Sequence, residues 1–227
     1  PSNPGGEKLE TLSAQMTLEE EVADWKERAP SAITHNAQGV RDAIFQSRHD
    51  NDRLLLTVSH YDYVEHAGGV QLCLQLEEKI ARARRTGFVH ISPAQPLMRL
   101  ARLDAEDEHA LVIRVDGKPV GTIAPENLLD ILYELNDEMP FDLVLHSLLG
   151  HSPEFLQHIA KIPACDQVLL WAHDQFLVCP GYTLQRNGIS YCHAPAPDSQ
   201  ACGICKFGAE RVNHLARLET FMSQTSA

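Results

Sequence analysis

Aromatic residues are scarce in this sequence. They make up 6% of its 227 residues, so any core must be aliphatic, and the 44% of hydrophobic residues suffice to build one. No apolar run approaches the roughly 18 residues needed to span a membrane. The start lacks the pattern of a secretory signal. Positive charge is in deficit: 19 lysines and arginines against 31 aspartates and glutamates leave a formal net charge of −12. That balance argues against a nucleic-acid binder, whose affinity rests on neutralising phosphates. A local anion site made of backbone amides stays open. Also missing are the Gly-x-Ser-x-Gly elbow and a His-x-x-x-His metal pair, which weighs against a hydrolase using His and Asp from strand ends. The opening Pro1-Ser2-Asn3-Pro4-Gly5-Gly6 has no methionine and reads as a processed or trimmed end.

The chain is organised around its first strand and the loop after it. Leu54-Leu55-Leu56-Thr57-Val58-Ser59-His60 is an apolar, partly β-branched run, the pattern of a buried strand. A polar loop ends in Gly68-Gly69, and Val70 to Ile80 carries apolar residues at helical spacing. Strand, Gly-Gly loop and helix open a nucleotide-type α/β fold. Glycines there let backbone N–H groups approach a ligand, and a helix N-terminus favours an anion. The loop has neither the full dinucleotide spacing nor the Walker lysine, so a plain tight turn is the competing reading.

Residues 1–50 differ from the rest and read as a helical lead-in or linker. Thr17 caps a helix with Glu19, Glu20 and Glu21 in its first turn, Pro30 stops it, and Ile33 to Phe45 suggests a second helix. Residues 51–227 read as one Rossmann-like domain. After the first helix, with Gly87 as its cap, Phe88–Ser92 is a strand and Leu97–Leu103 a cruder one. Ala110–Val115 and Val120–Ile123 flank Asp116-Gly117, the clearest hairpin signal in the chain. Pro125 opens a helix, Phe141–His146 is a strand, Ser152-Pro153-Glu154 starts a helix, Cys165–Trp171 is a strand, and a closing amphipathic helix begins at Gly208. The expected class is α/β: a mostly parallel sheet flanked by helices, with an inserted hairpin and a Cys-rich zinc loop.

In such sheets ligands bind at the carboxyl ends of strands. Three strands here end in histidine-bearing loops: His60 and His66, then His146 and His151, then His173-Asp174. The alternative is that each is a surface or satisfied core histidine. Of the six cysteines, Cys73 and Cys165 stand in apolar surroundings and read as ordinary buried thiols. Cys179, Cys192, Cys202 and Cys205 crowd into a stretch (179–205) rich in Pro, Gly, Asn and Ser. A Cys-x-x-C pair grips one face of a tetrahedral metal and two further cysteines complete four thiolates, so structural Zn2+ is expected, with His193 as a substitute ligand. Two disulfides or unligated thiols are the alternatives.

Two blocks carry a family resemblance. His66-Ala67-Gly68-Gly69-Val70-Gln71 looks like the Gly-Gly loop of family 4 glycosyltransferases. Trp171-Ala172-His173-Asp174 through Cys179-Pro180, followed by Tyr191-Cys192 and the closing Cys202 to Cys205, resembles a block in a bacterial subgroup of their N-terminal domains. The resemblance runs from about Leu54 to Phe221. It implies a GT-B enzyme, two Rossmann-like lobes facing across a cleft, in which this chain is the acceptor-side N-terminal half and a C-terminal donor lobe is missing. Gly68 and Gly69 would approach the diphosphate of a nucleotide-sugar. His146 or His151 would lie near the transferred sugar, and His173 and Asp174 would line the acceptor side. The implied reaction moves a sugar onto a saccharide or glycoconjugate with retention and without a catalytic metal; this half alone should not turn over. The implied place is cytoplasmic, at the inner membrane face or free of it. A noncatalytic, zinc-stabilised α/β binding or interaction module is the alternative.

Overall fold

The computed structural model describes residues 35–95, 97–105, 108–135 and 139–225. They belong to a compact unit that begins at Ile33. The expected acidic helix at Thr17 to Trp25 lies outside the described residues.

Helix α1 (Ala37–Asp50) starts at Asn36, whose side chain accepts from the Gly39 N–H at 3.1 Å. Its Val40 and Ile44 are wholly buried, so the second helix expected in the lead-in packs into the core. The order then runs β1 (Arg53–Val58), α2 (Gly69–Ala83), β2 (Thr86–Pro93), β3 (Leu111–Val115), β4 (Lys118–Ile123), α3 (Pro125–Leu135), β5 (Phe141–Leu145), α4 (Pro153–Ala160), β6 (Cys165–Leu170), β7 (Gln185–Arg186), β8 (Ser190–Tyr191), α5 (Gln200–Gly203) and α6 (Gly208–Thr225).

Six strands form one sheet in the order β4-β3-β2-β1-β5-β6. Strands β2, β1, β5 and β6 run parallel, and β3 and β4 extend the sheet as an antiparallel hairpin. The hairpin turns at Asp116 (φ 49°) and Gly117 (φ 80°), the two left-handed residues of the tight turn its Asp-Gly predicts. Strand β1 shows why the sheet is covered on both faces. Leu54, Leu56 and Val58 enter the large cluster shared with α1, α3, α4 and α6, while Leu55 joins Tyr63, Leu74, Ala81 and Phe88 under α2. Side chains alternate across a strand, so a continuous apolar run supplies both layers.

Four expectations change. Leu97–Leu103 is not a strand; the segment is an irregular loop held by Arg99, which donates to both oxygens of Glu108 at 2.6 and 2.9 Å. Gly87 does not cap α2. Arg84 does, Arg85 takes the left-handed turn, and Gly87 lies in β2, where a Cβ would strike Ser47 and Leu54. Cys73 is exposed on the outer face of α2, not buried. The Cys-rich stretch folds as a small β7–β8 hairpin and the short α5, and no group of three metal-holding side chains gathers among the described residues.

Candidate functional site

After β1 the sheet changes direction. Strand β2 adds on one side of β1 and β5 on the other, so the crevice at their carboxyl ends is the topological switch point. The loops after β1 and β5 both emerge there, and the loop after β6 lies alongside. Backbone hydrogen bonds fix their roots: Ser59 N–H donates to Ile91 at 3.1 Å, His146 N–H to Val58 at 2.8 Å, and Trp171 N–H to Leu145 at 2.8 Å.

The loop after β1 is braced. Arg114 donates to Asp62 Oδ2 through Nε at 3.0 Å and Nη2 at 2.8 Å, and the N–H of Val64 donates to Asp62 Oδ1 at 2.8 Å. Burial pushes the Asp62 carboxyl up, but these donors outweigh it and hold it below its ordinary value. The Tyr63 hydroxyl donates to Glu78 at 2.9 Å. The brace ends at Gly68, the N-cap of α2, where no side chain caps the helix. The Leu72 N–H is the one that returns to the Gly68 carbonyl, so the amides of Gly69, Val70 and Gln71 have no partner within the helix. Gln71 is buried, and its Nε2 has no hydrogen-bond partner among the described residues. A Cβ on Gly69 would meet nothing within 4 Å, whereas one on Gly68 would strike Oε1 of Gln71.

The imidazoles fall into two layers. His90 and His151 lie beneath the rim, at 1% exposure each. His90 Nε2 is 2.9 Å from Ser59 Oγ, and His151 Nε2 is 2.9 Å from the Ser59 carbonyl. Burial lowers His90 to about 3 and His151 to about 4, the latter against the help of the Ser59 carbonyl. Both are therefore neutral; His90, on β2, and His151, on the β5 loop, each hold Ser59 at the root of the β1 loop. His151 is a strut for the site and does not face the open groove.

His146 is buried too, 2% exposed, but it pairs with two groups nearer the surface. Its Nε2 lies 2.8 Å from Glu77 Oε2 on α2, and its Nδ1 lies 3.0 Å from Nε2 of His173. His173 is exposed, and the Trp171 ring, 49% exposed, sits near-parallel to it at 6.2 Å. Asp174 Oδ1 accepts from the Phe176 N–H at 2.8 Å, which fixes the turn after His173. Its charge also reaches His60 and His173, as does their mutual repulsion. Burial lowers His60, and Asp174 works against that; burial and the neighbouring His146 lower His173, with Asp174 and Glu77 opposing. His66 stacks on Tyr61 at 4.7 Å.

His60, His173 and Asp174 therefore share one rim, with His146 buried behind His173. Glu77 joins them through His146 and Trp171 through His173, and no sequence motif pointed to Glu77. The signal for Glu77 was its position on α2, about two turns beyond the Gly-Gly loop.

The cysteines form a second, separate centre. Cys179, Cys192, Cys202 and Cys205 line one cavity of about 20 Å3, room for one water-sized occupant. All four are free thiols. Arg211, 4% exposed, donates to the carbonyls of Val178 at 3.1 Å and Pro195 at 2.6 Å and to Cys202 Sγ at 2.9 Å. As placed, the thiols do not converge as metal ligands.

No helix among the described residues is long and apolar enough to cross a membrane. The chain matches no family model, no curated protein and no solved structure.

Proposed function

We propose that this chain is the acceptor-binding, N-terminal half of a GT-B glycosyltransferase that moves a sugar from a nucleotide-sugar to a saccharide or glycoconjugate. One observation carries the reading. At the switch point of the sheet the imidazoles of His60, His146 and His173 cluster with Asp174, and the loop after β1 runs on into the start of α2, which no side chain caps. Free amides at a helix start suit a diphosphate. Imidazoles and Asp174 offer acceptors and donors to sugar hydroxyls, and the half-exposed Trp171 offers an apolar face with a polar edge.

In this reading Gly68 and Gly69 face the donor diphosphate, and His146, which pairs with the exposed His173, stands nearer the transferred sugar than His151. His173 and Asp174 line the acceptor side. A second lobe carries the nucleotide and closes the cleft, because stabilising the leaving diphosphate takes groups from both sides.

Trp171 is one of two tryptophans, the other being Trp25. Saccharide binding by the Trp25→Phe chain should change the emission of Trp171. A panel of saccharides and nucleotide-sugars that leaves that emission untouched would count against the site.

We propose further that Cys179, Cys192, Cys202 and Cys205 hold a structural zinc. What supports this is the shared cavity and the buried Arg211 guanidinium, whose contacts here are two carbonyls and a sulfur. Four thiolates around Zn2+ leave a net negative charge for that guanidinium to neutralise. With four protein ligands the ion fastens the loop and takes no part in chemistry.

A further inference from the structure

The contact between the paired imidazoles has a direction. The rings of His146 and His173 are within 12° of parallel, with centroids 5.2 Å apart, and the facing nitrogens are 3.0 Å apart. The centroid separation equals the N···N distance plus the two ring radii. The rings therefore meet edge to edge in nearly one plane, and the hydrogen bond lies along the lone-pair direction of the acceptor nitrogen.

Glu77 decides which nitrogen is the acceptor. A carboxylate can only accept, so His146 Nε2, 2.8 Å from Glu77 Oε2, carries the proton. In the neutral His146 ring Nδ1 is then bare, and His173 donates to it from Nε2. This leaves the unshared pair of His173 on Nδ1, at the exposed end of the chain. His146 itself is enclosed, its side chain 1% exposed, while Glu77 is 24% exposed.

We propose that Glu77 is a positioning residue: through His146 it fixes the tautomer of His173, whose bare Nδ1 takes the proton of an attacking substrate hydroxyl. This rests on the sugar-transfer reading. The hydroxyl O–H bond breaks, its proton moves to His173 Nδ1, and the oxygen bonds the anomeric carbon of the donor sugar on the face from which the diphosphate departs, so the configuration is retained. The bond from that carbon to the diphosphate oxygen breaks, and the diphosphate leaves with its electron pair. The new imidazolium can pass its Nε2 proton to His146 Nδ1, which puts the positive charge beside the Glu77 carboxylate. The groups that face His173 are His146 from β5, Glu77 from α2, Asp174 from its own loop and His60 from the β1 loop. Only Glu77 acts on it through a hydrogen-bonded ring.

The test needs no sugar. Nitrogen-15 NMR of the histidine rings should show both His146 and His173 protonated on Nε2 and bare on Nδ1. Glu77→Ala should turn this into a mixture of tautomers. Glu77→Gln keeps an acceptor oxygen in the same shape, so it should keep the tautomers while moving the His173 titration to lower pH. A wild-type His173 protonated on Nδ1, or ring signals indifferent to both folded variants, would overturn the assignment. Failure to bind any sugar, with these tautomers present, would sink the sugar-transfer reading and leave the Glu77 chain standing.

Discussion

Nδ1 of His146, at the end of β5, lies 3.0 Å from Nε2 of His173, beyond the end of β6. Residues 27 positions apart thus form one hydrogen-bonded unit. If that unit handles the acceptor proton, His173→Gln in an enzyme with both lobes should lower kcat by about 10²- to 10⁴-fold, the usual range for a lost acid–base group. The KM for the nucleotide-sugar, held on the other side of the cleft, should change little. Steady-state kinetics with saturating acceptor checks both. Unchanged kcat would leave His173 with binding only.

The buried pair His90 and His151 makes the fold sensitive to acid. Both are neutral in the folded chain, lowered by burial to about 3 and about 4, whereas each takes a proton near pH 6.5 when unfolded. The unfolded state therefore binds more protons below pH 6.5, and stability falls as pH drops from there toward 4. Each contributes a slope of about 1.4 kcal/mol per pH unit in that window. Denaturant melts at pH 7 and pH 5 should show the loss. His151→Asn keeps a donor for the Ser59 carbonyl but cannot ionise, so it should flatten the slope.

The Asp62–Arg114 brace is the mechanical support of the β1 loop. Both side chains are buried, at 9% and 5% exposure. Asp62→Ala leaves the Arg114 charge with only the exposed Glu65 carboxylate at 3.4 Å and should cost about 3–5 kcal/mol. It should also release the loop that leads into Gly68. Hydrogen exchange at the amides of 60–68 would report this. Exchange rates equal to wild type in a folded variant would assign the rigidity elsewhere.

For the cysteine centre, elemental analysis of chain purified without chelator should find one zinc per molecule. Cys202→Ser should remove it and lower Tm. Absence of zinc from the wild type, or an unchanged Tm in the variant, would return these cysteines to ordinary thiols.

Much of the sheet could be read from residue pattern alone. The apolar run of β1, the Asp-Gly turn and the Ser152-Pro153 helix start each obey a local rule, and local rules survive folding. Leu97–Leu103 misled because its crude alternation satisfies strand patterning, yet its backbone is claimed by the Arg99–Glu108 pair and the β5 loop. Gly87 looked like a helix cap, but its lack of a side chain serves the close approach of Ser47 and Leu54. The histidine loops could be placed on one rim because all three follow strands of a parallel sheet. Which of them face the groove could not. His146 and His151 are five positions apart, and only tertiary packing turns one toward Glu77 and the other under Ser59. Glu77 was invisible because a glutamate on a helix is usually a solvated residue.

The most direct test of sugar transfer uses Gly69. A side chain there projects into open space, so Gly69→Trp should fold normally while blocking the approach to the start of α2. The chain, joined to a donor-binding lobe, is assayed for acceptor-dependent release of nucleoside diphosphate from a nucleotide-sugar. Turnover by the unmodified protein and its loss in the folded tryptophan variant is the predicted result; equal turnover by both would contradict a donor site at this glycine pair.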